Sequence, residues 1–312
     1  MKKVLVLGAS GGMGYSIVKE LVQREIDVVA LARSEEKLHK LFKNEEKVTI
    51  VSGNVFDLES LKETAAGVDT VFHAMNIPYP EWEKNLPVVM SNILETVKHV
   101  NAKLVIVDNI YAYGRNPGHL VSEQIPKKPH TKKGKIRLEL EEMAKQSNLP
   151  VLIAHFPDFY GPNATNTILN YTFENVVKNK RSMFVGDRKI AREYIFTPDG
   201  AKALVQLALS DSAYGQNWNI PGSGVITGDE IIAYLREHTG YKKKVGTVSK
   251  AMIMFIGLFD KMMREVVELS YLTEDPVVLD GKKLEQAINS IPRTPYKEGI
   301  KQTIEQMVRN LD

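Results

Sequence analysis

The sequence predicts an α/β fold, a doubly wound parallel sheet with a smaller C-terminal α/β lobe beside it. Three observations carry this. Apolar runs of strand length alternate with stretches of helical spacing from residue 4 to residue 156, and strand, helix, strand repeated so often requires parallel pairing with right-handed crossovers. The first run passes through a glycine-rich turn directly into a helix. The 312 residues leave room for one large α/β unit and a smaller lobe.

Residues 4–7, Val-Leu-Val-Leu, are the unbroken apolar run of a strand buried on both faces. Gly8-Ala9-Ser10-Gly11-Gly12-Met13-Gly14 follows, and residues 15–23 carry Ile17, Val18, Leu21 and Val22 at helical spacing. Strand before and helix after make this a phosphate-binding turn, and the sheet Rossmann-type. Gly8 turns the chain sharply, Gly11 has no Cβ to hold a pyrophosphate away, and Gly14 lets the helix lie close to the strand. Ser10, Gly12 and Met13 complete the turn, and the unpaired N–H groups at the helix start face the anion.

Residues 28–32 form a second buried strand that ends at Arg33-Ser34. An acidic residue at this tip would bind a ribose 2′-hydroxyl, whereas an arginine accommodates a 2′-phosphate. Arg33, with Lys37 one helical turn on, therefore favours NADP over NAD, against the plainer reading of a solvated helix start. Strand three covers 47–51, and Asn54 and Val55 in the loop after it are placed against the adenine; Asp57 caps the next helix. Strand four, 69–74, ends in His73-Ala74-Met75-Asn76. Ala74, Met75 and Asn76 should border the cofactor, because ligands sit beyond strand C-termini, while His73 reads as a structural histidine.

Pro78 and Pro80 break the chain before a helix over 82–100, and 104–107 is strand five. Asp108-Asn109-Ile110-Tyr111-Ala112-Tyr113-Gly114 leaves its tip, a loop runs to Pro129, and His130-Thr131-Lys132-Lys133-Gly134-Lys135-Ile136-Arg137 opens a helix. Strand six, 151–156, ends in Phe156-Pro157-Asp158-Phe159, of which Phe156, Pro157 and Phe159 are expected at the cofactor together with Asp108. A helix over 165–178 should cover the crevice, Thr197-Pro198-Asp199 should cap another, 217–222 reads as the final strand and turn, and 281–288 and 296–311 as closing helices. Residues 1–160, with 187–221 returning to them, make the dinucleotide-binding domain; 161–186 and 222–312 make the substrate lobe. The apolar series from Met252 through Phe255, Phe259 and Met263 to Val266 reads as lobe core, with a pocket or lid as the alternative.

Composition excludes several classes. Hydrophobic residues at 43% and charged residues at 25% match a soluble globular chain, and 41 basic against 38 acidic side chains, net +3, is too balanced to imply nucleic acid. Without cysteine there is no disulfide framework, thiol nucleophile or thiolate metal site, and no His/Asp/Glu group has metal-ligand spacing, so no metal is expected. The Met-Lys-Lys start resembles a signal peptide, but its apolar run stops at Gly8, which favours a strand and a cytoplasmic location. The apolar stretch 251–258 is too short to span a bilayer, and no membrane partner is expected.

Together these residues resemble the extended short-chain dehydrogenase/reductase superfamily, NAD-dependent epimerase/dehydratase group, over nearly the whole chain. Gly8, Gly11 and Gly14 match its glycine fingerprint, residues 69–74 its strand-four motif, and Tyr113-Gly114 the pair after its catalytic serine or threonine. Tyr160-Gly161-Pro162, Arg192-Glu193-Tyr194 and Asn219-Ile220 match later landmarks in order. The resemblance implies a pyridine dinucleotide, NADP with NAD possible, and a carbonyl or nucleotide-sugar substrate held between domain and lobe. A monomer or homodimer is expected.

Three departures stand out. Where the family has a tyrosine four residues before a lysine, this chain has Lys133 and Arg137, and the serine or threonine position carries Asn109. If the chain is a reductase, Lys133 could protonate the developing alkoxide, or Tyr111 or Tyr113 could with Lys133 beside it. Arg137, always charged, is restricted to fixing a phosphate, ribose or oxyanion; Asn109 replaces the hydroxyl donor, and Asp108 would orient Lys133. The plain reading makes Lys127, Lys128, Lys132, Lys133, Lys135 and Arg137 one solvated basic face, and for the outer lysines it is preferred. Two functions stay open: an oxidoreductase or epimerase acting by hydride transfer, and a non-catalytic NADP-binding redox sensor.

Overall fold

The computed structural model describes residues 1–116 and 118–310. The chain begins β1 (Lys3–Leu7), α1 (Gly12–Gln23), β2 (Asp27–Ala32), α2 (Glu35–Phe42), β3 (Val48–Ser52), α3 (Leu58–Thr64), β4 (Thr70–His73), α4 (Trp82–His99) and β5 (Lys103–Asn109). A short β6 (Leu120–Val121), α5 (Lys132–Gln146) and β7 (Val151–Phe156) follow. Seven strands form one parallel sheet in the order β11-β7-β5-β4-β1-β2-β3, where β11 is Gln216–Asn219. Strand order reverses between β1 and β4, which opens a crevice at their C-terminal ends.

The unbroken apolar runs follow from burial on both faces. Along β1, Leu5 and Leu7 join one core with Leu61, Trp82 and Leu140 of α3, α4 and α5. Val4 and Val6 alternate to the other face, where they join Ile17, Leu38 and Leu204 of α1, α2 and α7 (Thr197–Ala208). At the start of α7 the cap differs from expectation. Phe196 is the N-cap and Thr197 is already helical, while Asp199 turns to accept from Thr294 N and Oγ1 at 2.5 and 2.9 Å.

The lobe is built from β8 (Asp158–Tyr160), α6 (Ile168–Val177), β9 (Ser182–Val185), β10 (Arg192–Phe196), β12 (Val225–Ile226), α8 (Gly228–Thr239) and β13 (Val245–Val248). β10, expected with 187–221 in the dinucleotide-binding domain, pairs with β8 and β12 in a sheet of their own, apart from the central one. The chain closes with α9 (Lys250–Gly257), α10 (Lys261–Val266), α11 (Tyr271–Glu274), β14 (Val278–Leu279), α12 (Lys282–Ile288) and α13 (Tyr296–Arg309); β14 pairs with β6, and Leu284 of α12 packs in the core of the central sheet rather than in the lobe. The strand expected within 217–222 is thus β11, the edge of the central sheet, but not the last strand of the chain. The closing helix is described to Arg309, and Leu311 lies outside the described residues. Tyr160, Phe173, Phe184, Tyr194, Leu235 and Ile300 anchor the lobe core.

The apolar series 252–266 is not lobe core. Ile253 and Gly257 turn inward, but Met252, Met254, Phe255, Ile256, Leu258 and Phe259 are exposed, because α9 and α10 lie over the crevice rather than inside the lobe.

Candidate nucleotide and substrate site

The glycine turn fits a diphosphate. Gly8 has φ +81°, and a Cβ there would meet Met75 Cα at 2.6 Å; a Cβ on Gly14 would run into the Gly8 carbonyl. Gly11 differs, because a Cβ there would meet protein only at Gly8 O, 3.4 Å away, which leaves its outer side clear for a ligand. Gly11 caps α1 without a side-chain hydrogen bond, so the first-turn N–H groups of Gly12, Met13 and Gly14 are donors for an anion. The Met13 side chain itself is core, and Ser10 accepts from Asn163 Nδ2 at 3.0 Å, tying the lobe to the turn.

Arg33 is exposed at the tip of β2, and beside it Ser34 caps α2 by accepting from Lys37 N. Asn54 Oδ1 accepts from Phe56 N at 3.2 Å. Val55 is buried in the core.

The crevice deepens into a cavity of about 750 Å³ between the sheet and the lobe. Its floor is Ala74, Met75 and Asn76 after β4, Asp108 and Asn109 at the end of β5, and Pro157, Asp158 and Phe159 after β7. Phe156, expected here, is fully buried in the core and does not line it. Tyr79, Tyr111 and Arg137 form one wall; Ile168 and Tyr171 of α6, with Ile253, Met262, Met263 and Val266 of α9 and α10, form the other.

Chemistry collects on the first wall. The Tyr79 and Tyr111 hydroxyls are 2.9 Å apart. Burial pushes both phenols above their ordinary range, with Arg137 pulling the other way, so both carry their protons at neutral pH. Asn109 Oδ1 accepts from Tyr111 N at 3.0 Å, which commits the amide oxygen and leaves its N–H₂ as the donor. Arg137 is buried, 3.4 Å from Asp108 Oδ1 and with its guanidinium 4.5 Å from the Trp82 ring. Its Nε has no partner among the described residues, an orphaned donor beside the cavity. Burial raises the Asp158 carboxyl, partly offset by Arg192. His73 is buried and burial, then Arg137, push it down to about 3; it is a neutral structural ring whose Nδ1 has no partner among the described residues.

Three sequence expectations need correction. Lys133 does not line the cavity: it is 1% exposed, bonded to Glu265, and 3.1 Å from Glu268. Asp108 does not orient it, because Asp108 faces Arg137 and His155 instead. Tyr113 is buried away from the cavity and donates to Asn219 Oδ1 at 2.7 Å, joining two of the landmark positions. The basic face also divides. Lys128, Lys132 and Lys135 are exposed, but Lys127 is buried against Glu141, with His155 Nε2 at 2.7 Å. Asp108, Glu141 and His155 are close enough to hold a metal, a grouping that chain spacing did not reveal because it joins β5, α5 and β7. The Lys127 ammonium bonds two of the three, so the cluster carries its own cation.

Sequence reasoning missed Tyr79 and Asp158, and it ranked the pocket or lid reading of 252–266 second to lobe core. The signal for Tyr79 was its place between Pro78 and Pro80 just past β4, in a 3₁₀ turn that leads into α4.

A family model described as NAD(P)H-binding matches residues 8–191, more than half of the chain. The chain belongs to this NAD(P)H-binding family. Among curated proteins, this NAD(P)H-binding chain is 25% identical to the photosystem II assembly factor Ycf39 of Synechocystis, over 90% of this chain and 82% of the relative. It is 24% identical to a putative UDP-glucose 4-epimerase of Methanocaldococcus jannaschii, over 98% and 99%. It is 21% identical to a farnesyl-dihydroquinoline-oxide ketoreductase of Stigmatella aurantiaca, over 96% and 94%. The solved UDP-glucuronic acid 4-epimerase of Bacillus cereus, in complex with NAD, superposes with a TM-score of 0.82 at 18% identity, covering 99% of this chain and 100% of that one. That likeness is one of fold, and it agrees with the epimerase/dehydratase architecture expected from the motifs.

Proposed function

We propose that the protein is an NADP-preferring oxidoreductase that interconverts a carbonyl and an alcohol on an apolar substrate. The observation that carries this is the Tyr79–Tyr111 hydroxyl pair, 2.9 Å apart on the wall of a cavity at the topological switch point of the sheet. Arg33 supports the NADP preference, and the orphaned Nε of Arg137 suits a ribose or phosphate oxygen.

The bound dinucleotide would supply or accept the hydride. Asn109 donates from its amide to the substrate carbonyl and fixes its orientation. As the oxygen gains charge, Tyr111 gives it a proton, and Tyr79 stabilises the phenolate that remains through their shared hydrogen bond. Arg137 lowers the cost of that phenolate, the direction its charge already exerts on both phenols. Lys133, one of the three proton donors the sequence left open, is committed to carboxylates and acts by holding the wall.

The lining favours an apolar substrate over a nucleotide-sugar. Arg137 is its one cation among the described residues and already faces Asp108, while Ile168, Val185, Val248, Ile253, Met262 and Val266 offer nothing to a second diphosphate. The farnesylated substrate in the name of the Stigmatella relative agrees with this, and the epimerase relatives point to the other class. A non-catalytic sensor remains the second reading, favoured by the neutralised Lys133 at the family's tyrosine position.

Loss of NADPH absorbance against apolar ketones, aldehydes and nucleotide-sugars, with product analysis to detect epimers, tests the proposal. Turnover of an apolar carbonyl that Tyr111→Phe abolishes supports it. Tight cofactor binding with no turnover on any substrate would establish the sensor instead.

A further inference from the structure

The lid has an outer surface that the site does not use. From Ala251 to Phe259 there is no charged, hydroxyl or amide side chain in nine consecutive residues. A helix apolar all round is normally buried on all sides. Here, among the described residues, only the inner side is covered: Ile253 is buried at the cavity and Ile256 reaches its edge, while Phe255 is 66% exposed, Leu258 65% and Phe259 83%. Met252 and Met254 extend the patch, and the Phe255 and Phe259 rings meet edge to face at 6.0 Å. These residues lie together at helical spacing and its continuation, forming a contiguous patch rather than scattered exposed side chains.

The rim is basic. Lys250, Lys261 and Arg264 are exposed around the patch, and Lys250 reaches Glu274 at 3.5 Å. Asp260 and Glu274, the partner of Lys250, are the exposed carboxylates here, since Glu265 and Glu268 turn inward to Lys133. We infer that α9 and the start of α10 bed into an anionic lipid surface, apolar side chains among the acyl chains and the cations at the headgroups. A protein partner fits less well, because protein interfaces carry regular hydrogen bonds and this patch offers no strong side-chain donor or acceptor. The series is too short to cross a bilayer, so the contact is with one surface. This departs from the expectation of no membrane partner, which rested on composition and span length. That the cavity receives its substrate from the lipid rests on the function proposed above; the docking does not.

Flotation of the purified full chain with phosphatidylcholine vesicles, with and without phosphatidylglycerol, tests this. The protein should float with the anionic vesicles, less so at high salt, and Phe255→Ser/Phe259→Ser should weaken partition at least about tenfold. Phe259→Trp should show a blue shift of the new tryptophan's emission on mixing with vesicles. Unchanged melting temperature and calorimetric NADPH affinity in the serine variant separate a docking defect from a failed site. Wild type that stays at the bottom of the gradient overturns the inference, as does a serine variant that floats equally well. A dimer seen by light scattering that the serine variant abolishes, without vesicle binding, assigns the patch to a second copy and also overturns it.

Discussion

Glu268 of the lobe holds the start of α5: its carboxylate accepts from Lys132 N at 2.7 Å and Lys133 N at 3.1 Å and lies 3.1 Å from Lys133 Nζ. One acidic side chain thus caps a helix whose positive end would otherwise face the cavity wall, and pins the lid to the sheet. Glu268→Ala should lower stability by roughly 1–2 kcal/mol, the cost of a lost cap, and raise amide exchange in 250–270 more than in β1 or β5. Chemical denaturation and hydrogen exchange check this; uniform exchange would mean that the lid is held elsewhere.

Tyr111→Phe should cut kcat by about 10²-fold or more with KM little changed, since it removes a proton donor and no apolar contact. Tyr79→Phe should cost less, because the remaining phenol keeps its own proton. Steady-state kinetics on the turned-over substrate would show the ordering, and equal losses would point to a different donor such as Asp158.

The turn glycines should separate binding from folding. Gly11→Ala should keep the wild-type melting temperature and weaken cofactor affinity by roughly tenfold or more, as its new methyl enters the space left for the diphosphate. Gly14→Ala, whose methyl meets the Gly8 carbonyl, should instead cost about 1–3 kcal/mol of stability. Calorimetry and thermal melts decide, and Arg33→Ala in the same assays should weaken NADPH while sparing NADH.

Stability should fall as pH rises through neutrality. Burial lifts the Glu193 carboxyl to about 7, although Gly222 N and Leu279 N donate to it. The folded chain therefore holds this proton more tightly than the unfolded one. Its contribution is full below pH 4.5 and is lost as pH climbs to about 7, by an amount on the order of 3 kcal/mol. Denaturation from pH 5 to 8 should show that slope, and Glu193→Gln should flatten it.

Breaking the inner ion cluster should be costly. Lys127→Ala takes the inner ammonium from Glu141 and leaves it the half-exposed Lys145 at 2.7 Å, so a loss somewhat below the roughly 3–5 kcal/mol of a fully orphaned buried charge is expected. Burial alone would raise the Glu141 carboxyl, yet His155 and Lys127 hold it well below the usual range, so the double change Lys127→Met/Glu141→Leu should recover part of the loss.

The sequence alone determined the parallel sheet, the glycine turn and the strand tips that border the crevice. Their signals are local: two-face burial writes an unbroken apolar run, and a diphosphate turn writes glycines at fixed offsets. Asn109, Tyr111 and Arg137 were legible for the same reason, since each sits within a few residues of a strand tip or helix start. Tertiary structure decided what those groups meet. Lys133 looked like a free acid because Glu265 and Glu268 are more than 130 residues away in the chain. Lys127 looked like an outer lysine until β7 brought His155 against it. The lid looked like core because helical spacing records that a face is apolar, whereas only packing records which side is covered.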